Sequence, residues 1–407
     1  MAQDKDQKTL NVPPLRFPGF TDEWKECTIR DIAKIEKGNG ISKDQLSEEG
    51  DECILYGELY TKYKSEIIDE VYSKTKVDST KLMRSQANDV LIPCSGETAE
   101  DIATARCVKM EGILLGGDLN IMRFDKQDGA FISYQLNGKR KYDIARIAQG
   151  VSVVHLYPEH LKSIRVVLPE LEEQQKIVNL LSLIDERIAT QNKIIEDLKK
   201  LKSAIIDKLL SGVQTDDSGR TVKLREIGNF TRGLTYSADD IVEDGGIVVV
   251  RANNLSNGES VNLYNEIVRV DKPISGSQQL KDGDIVICMA NGSSALVGKA
   301  SYYNDTTDSI VTVGAFCGIY RSNKKIVRWL FQTNKYKRAI CKSLQGGNGA
   351  IANLTPNDIL GLSFKIPKNE TLIVELLQEF DVKLDIEMSL LHKLQKEKQY
   401  LLSQIFI

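Results

Sequence analysis

The chain has 407 residues, 41% of them hydrophobic and 27% charged, and a formal net charge of −3. That length allows two or more domains with cores of their own, and no run approaches the ~20 apolar residues that span a bilayer. Seven cysteines without a Cys-x-x-Cys pair and only three histidines (His155, His160, His392) argue against a structural zinc site and fit isolated thiols in a reducing cytoplasm.

Residues 1–11 are polar and lack the apolar core of a secretion signal. A lobe follows to residue 169. Its β-branched runs, bounded by Gly, Asn and Asp, predict strands at 90–92 and 113–115, with a helix at 131–136. A helix is expected over 170–211, and the small polar stretch 211–219 reads as a helix stop and domain boundary. A second lobe, 218–368, predicts strands at 247–250, 285–288 and 310–313 and a helix over 325–342. A final helix fills 369–407. The lobes differ in charge. Residues 218–368 hold 19 Lys/Arg against 13 Asp/Glu, a net of +6, whereas residues 1–169 hold 24 against 27, a net of −3. A basic second lobe permits an anionic partner.

Both helices carry one heptad pattern. Alternating steps of 4 and 3 give Ile177, Leu181, Ile184, Ile188, Gln191, Ile195, Leu198, Lys202, Ile205 and Leu209 in the first. In the second they give Ile373, Leu377, Phe380, Leu384, Glu387, Leu391, Leu394, Lys398, Leu401 and Ile405. The mean period of 3.5 marks a left-handed coiled coil. The polar interruptions, Gln191 with Glu387 and Lys202 with Lys398, fall at equivalent steps, 196 residues apart. The lobes repeat as well. Thr28-Ile29-Arg30-Asp31-Ile32 matches Lys223-Leu224-Arg225-Glu226-Ile227, and Asn88-Asp89-Val90-Leu91-Ile92 matches Gly283-Asp284-Ile285-Val286-Ile287. Leu156-Tyr157-Pro158 matches Leu354-Thr355-Pro356. The chain is a tandem duplication. The coils could join two copies of the chain in parallel, or pack on each other within one chain. The second arrangement lets the chain return from the second lobe and is the one expected: an intramolecular antiparallel coiled coil with pseudo-twofold symmetry between two mixed α/β lobes. Gln191 then lies near Leu391, and Glu387 near Ile195.

Catalytic signatures are missing. The only Pro-Pro, Pro13-Pro14, is flanked by Val12 and Leu15 and is not the Asn/Asp-Pro-Pro-Tyr/Phe loop of amine methyltransferases. Around Lys299 the glycine spacing is wrong for a nucleotide-binding loop, and alanine follows the lysine; residues 291–300 read as a polar loop entering a strand. The cluster Gly346-Gly347-Asn348-Gly349 reads as a flexible loop whose amides could touch DNA phosphate. A 39-residue helix pair would be about 58 Å long at 1.5 Å per residue, on the order of 17 base pairs. Two diverged lobes held that far apart suit an asymmetric bipartite DNA site.

In these features the chain resembles the specificity (S) subunit of type I restriction–modification systems. The likeness rests on the lead-in NVPPLRFPGF at 11–20, the repeated lobe, Leu168-Pro169 and Ile366-Pro367 before each long helix, the segment LPELEEQQKIVNLLSL at 168–183, and the matched heptads. It implies two target recognition domains, 1–169 and 218–368, each binding half of a split site on double-stranded DNA. It implies spacer helices, 170–211 and 369–407, that dock two modification (methyltransferase) subunits, with restriction/translocase subunits in the full complex. It further implies a non-catalytic cytoplasmic chain, with S-adenosylmethionine, ATP and Mg on the partners. In the second helix NETLIV at 369–374 replaces the acidic-Gln-Gln run at 172–175. A non-enzymatic scaffold that binds protein partners is the alternative, and an enzyme with an unrecognised site a weaker third.

The resemblance supplies no base-reading signature, so candidate DNA contacts come from chemistry: Arg and Asn suit guanine and adenine edges, and Lys suits phosphate. In the first lobe they are Lys37, Asn39, Ser42 and Lys43 in a Gly-rich loop, the basic-aromatic cluster Tyr60, Lys62, Tyr63 and Lys64, and the basic pair Arg140 and Lys141. In the second they are Arg232, Thr235 and Tyr236 in the matching loop, Arg251, Asn253 and Asn254 after a strand, and Asn291, Ser293, Ser294 and Lys299 in the polar loop.

Overall fold

The computed structural model describes residues 11–150, 153–210, 219–304, 307–344 and 352–407. The expected boundary at 211–218, the glycine cluster at 346–349 and the first ten residues lie outside the described residues. The chain divides into two compact units, residues 1–193 with 389–407 and residues 194–388. Each unit therefore holds one lobe and about half of each long helix.

In the first unit, alternating and fully apolar runs become the strands of two small sheets. One has the order Ala33–Lys37, Leu119–Phe124, Asp89–Pro93, Arg106–Val108, Ile67–Ile68; the other has the order Leu114–Leu115, Asp51–Ile54, Ser73–Thr75, Leu46–Ser47. Asp89–Pro93 is buried along its whole length, as expected of a central strand. Lys25–Thr28 pairs antiparallel with Arg165–Leu168, and Ser95–Gly96 with Val154–His155. The second unit repeats this plan. Its sheets run Asn229–Arg232, Cys317–Arg321, Ile285–Cys288, Ala300–Tyr302 and Ile241–Val242, Val268–Val270, Ile247–Val250, Val311–Val313. Arg220–Lys223 pairs with Ser363–Ile366, and Ala290–Asn291 with Ala352–Asn353. Where the first lobe sets Ile67–Ile68 parallel to Arg106–Val108, the second has a single parallel bridge, Ser260 to Tyr302. Even the ion pair inside each sheet recurs. Arg123 lies 3.2 Å from Asp89, and Arg321 lies 2.6 Å from Asp284.

The helix expected over 325–342 is two helices, Val327–Leu330 and Asn334–Leu344. Thr333 causes the break: its hydroxyl donates to the Leu330 carbonyl (2.7 Å) and accepts the Tyr336 N–H (3.1 Å), capping the second helix. The long helices span Leu171–Leu210 and Glu370–Ile405. Within each unit they run antiparallel. In the first, Ile177 and Leu181 share a core with Ile405 and Phe406, while Asp185 meets Lys398. In the second, Ile206 and Leu210 share a core with Ile373 and Leu377, while Lys202 meets Asp381.

The heptad positions are buried or half-buried, and both seam lysines turn out to be pinned. Lys398 Nζ lies 2.6 Å from Asp185 and 2.5 Å from Glu66 of the first lobe, and Tyr134 donates its hydroxyl to Asp185 at 2.7 Å. In the second unit Lys202 lies 2.5 Å from Asp381, which also takes Arg328 at 2.9 Å and the Trp329 indole N–H at 3.3 Å. Asp185 and Asp381 are 196 residues apart, so one buried cluster is built twice with the helices' roles exchanged. Gln191 shares a groove with Leu390 and Leu394. Glu387 pairs with Lys383, one turn before it on its own helix, at 2.6 Å.

The lead-in is clamped too. Arg16 grips Glu173 through two hydrogen bonds of 2.7 and 2.8 Å, with the carboxylate fully buried. Gln174 accepts the Asp128 N–H and donates to Gln127 and Pro169. Half of the acidic-Gln-Gln run thus serves the chain's own core.

Candidate nucleic-acid interface

Strand ends place the candidate residues. In the second lobe four segments leave the sheets on one side: 234–236 after Asn229–Arg232, 251–253 after Ile247–Val250, 290–292 after Ile285–Cys288, and 314–317 ahead of Cys317–Arg321. They line a cleft of about 650 Å³ that collects Tyr236, Arg251, Asn253 and Asn291. Arg232 lines a smaller depression of about 170 Å³ that shares Ala290 and Phe316 with the cleft. Phe316, absent from the sequence-based set, stands 65% exposed on the rim. Backbone geometry explains the shape. Gly233 lies so close to the Gly314 carbonyl that any Cβ there would collide at 2.1 Å, so the two loops need glycine to come together.

Arg251 is the most constrained group of this cleft. Its Nη2 donates to the Glu266 carbonyl at 3.0 Å, while its Nε is buried and has no protein partner. Asn253 donates to the Glu266 carboxylate at 2.5 Å. The other candidates separate by role. Asn254 is buried, accepts the Arg251 N–H and donates to the Asn265 carbonyl, so it shapes the turn. Lys299 donates to the Leu255 carbonyl. Thr235, Ser293 and Ser294 are exposed, and the Ser293 N–H is capped by Asn291.

The first lobe presents the same site with different chemistry. Leu55 stands where Arg251 does: each follows its strand, and each donates its N–H to a buried side chain three residues on, Glu58 or Asn254. Asp118 stands where Phe316 does. The Cys94 N–H donates to its carbonyl at 2.7 Å, as the Met289 N–H donates to that of Phe316 at 2.8 Å. Asp118 is exposed and adopts a left-handed backbone, φ 57°, and its carboxylate accepts the Ser95 hydroxyl at 3.1 Å. Lys37 and Asp118 both act on the buried Cys94 thiol, which burial pushes up to about 11.

Of the remaining candidates in this lobe, Asn39 bridges to the backbone of Lys81 and Met83, Ser42 caps the turn holding Lys43, and Lys62 is tied to Glu58 and Ser73. Tyr60 is half-buried, and burial raises its phenol. Tyr63 is a core residue, 4% exposed and stacked on Tyr72 at 5.4 Å. Lys64 is exposed and donates to the Thr61 carbonyl. Arg140 holds the Ile407 carbonyl at 3.1 Å, with Lys141 beside it opening the next helix.

A family model described as the type I restriction modification DNA specificity domain matches twice, at residues 21–200 and 218–396. The chain belongs to that family. The specificity subunit of the type I restriction enzyme MjaVIII from Methanocaldococcus jannaschii is 24% identical over 429 residues, covering 98% of this chain and 95% of that one. The EcoKI specificity subunit of Escherichia coli K12 is 29% identical over 149 residues, 35% of this chain and 31% of its own. Among solved structures, the type I restriction–modification S subunit of M. genitalium shares the fold, with a TM-score of 0.59 at 19% identity over 97% of this chain and 99% of that chain. Within this specificity family, each matched copy takes in one lobe and most of the helix after it.

Two further properties bear on function. Among the described residues no helix is long and apolar enough to cross a membrane. No group of three or more His, Cys, Asp or Glu among them could hold a metal ion.

Proposed function

We infer that this chain is the DNA-reading subunit of a type I modification and restriction complex, each lobe reading one half of an asymmetric bipartite site. The observation that carries the reading is the pair of equivalent strand-end sites, one in each lobe. The same strand ends frame both, yet the residues between those ends differ, as two readers of two different half-sites require. The lobe with the net charge of +6 also holds the cleft containing Arg251. The polar side chains at these strand ends supply base contacts and the exposed lysines around them phosphate contacts.

The long helices act as spacer and as docking surface for two modification subunits, with restriction/translocase subunits in the full assembly. The chain itself is non-catalytic and works in the cytoplasm. S-adenosylmethionine, ATP and Mg are handled by the partners. Sequencing adenine methylation in a host with and without this gene tests the reading. Removal of the gene should erase methylation at one bipartite motif and leave the rest. An unchanged methylome would overturn it.

A further inference from the structure

The two equivalent strand-end sites differ in the charge they carry, and that difference bears on base choice if the chain reads DNA, the function on which the inference rests. At the position after the 51–54 or 247–250 strand, the first lobe has buried Leu55 and the second has Arg251. At the position before the 119–124 or 317–321 strand, the first lobe has Asp118 and the second has Phe316. Each site therefore holds one charged group from these two positions, of opposite sign in the two lobes.

We propose that the two sites read bases of opposite hydrogen-bonding character: Arg251 donates to a guanine in one half-site, and Asp118 accepts from the exocyclic amine of a cytosine or adenine in the other. Arg251 is built to donate. Its Nη2 is anchored on the Glu266 carbonyl, which fixes the guanidinium at the wall of the cleft it lines. A guanidinium carries N–H donors and no acceptor, and this side chain lines the open cleft, so the group it meets there must be an acceptor. In the major groove guanine offers two, O6 and N7, in the geometry of the guanidinium fork.

Asp118 is built to accept. A carboxylate has no proton to give at neutral pH, and only cytosine N4 and adenine N6 present amines in that groove. Asp118 is held at both ends, by the Cys94 N–H on its carbonyl and the Ser95 hydroxyl on its carboxylate, yet it remains exposed. In the second lobe Phe316 occupies the matching place and brings apolar surface, suited to a thymine methyl or a base face.

The test is the methylation motif set by the whole complex carrying Arg251→Lys or Asp118→Asn. Arg251→Lys keeps the charge but not the fork, and Asp118→Asn keeps the shape while adding a donor. Arg251→Lys should relax one guanine position in one half-site, by roughly 5- to 150-fold in discrimination. Asp118→Asn should alter one cytosine or adenine position in the other half-site and nothing else. Assembly with the modification subunits and thermal melting are followed in parallel. A motif unchanged by both substitutions, a change at a position of the wrong base type, or a variant that fails to assemble would each overturn the assignment. If the wild-type complex sets no bipartite motif at all, the DNA-reading function itself fails instead.

Discussion

Replacing Lys398 by Met removes the cation from a buried cluster and leaves its carboxylates behind. The lysine side chain is 14% exposed, and those of Glu66 and Asp185 are 9% exposed. At an effective dielectric near 20, each contact at this range is worth about 6–7 kcal/mol before desolvation. Breaking a buried pair by removing one partner costs about 3–5 kcal/mol, because the remaining charge is left uncompensated. Arg106 still acts on Glu66 and the Tyr134 hydroxyl still reaches Asp185, which favours the lower end of that range. For a unit of this size the melting temperature should fall by roughly 6–20 °C, read by calorimetry at pH 7.

The pH dependence checks the cause. In the intact cluster burial pushes Glu66 up, but Lys398 and Arg106 outweigh it and hold the carboxyl below its ordinary range; Asp185, for which burial dominates, is raised. Stability tied to Glu66 is thus present above its unfolded pKa and lost as pH falls below it, while that tied to Asp185 has the opposite sign. Without Lys398 both carboxyls rise, so protonation relieves the variant. The gap between variant and wild type should therefore narrow from pH 7 toward pH 4. A loss below about 1 kcal/mol at pH 7, the scale of an exposed pair, would refute the buried-cluster account.

Lys202→Met should cost clearly less, about 1–2 kcal/mol, because Asp381 keeps Arg328 and the Trp329 indole; equal melting shifts for the two lysine variants would contradict this ordering. Thiol labelling gives a further check. Burial pushes Cys53 and Cys94 up to about 11 and Cys107 and Cys317 up to about 12, whereas Cys341 is exposed. At pH 8 a thiol reagent followed by mass spectrometry should modify Cys341 readily and those four only after denaturation.

The duplication and the long helices were legible in the sequence because heptad period and matched interruptions are local signals. The strand at 90–92 lies inside Asp89–Pro93, and 113–115 and 310–313 each lose only their first residue. Lys202 and Lys398 could be read as breaks in the seam, but not as members of ion clusters. Their partners include Glu66, whose burial depends on how a lobe packs on the helices. The candidate sites were half legible. Tyr236, Arg251, Asn253 and Asn291 follow from residue type, and strand ends gather them. Tyr63 and Asn254 carry the same chemistry but are consumed by the core and by a turn. Asp118 and Phe316 were missed because neither lies in a basic or amide-rich run. Aligning the two copies at Gly116-Gly117-Asp118 and Gly314-Ala315-Phe316 would have exposed their divergence at one position.

The central claim is that each lobe reads one half of the site, and exchanging residues 218–368 for those of another member of the family tests it most directly. Sequencing the methylated motif of the resulting complex should show one half-site replaced and the other unchanged. Replacement of both halves, or of neither, would contradict the claim.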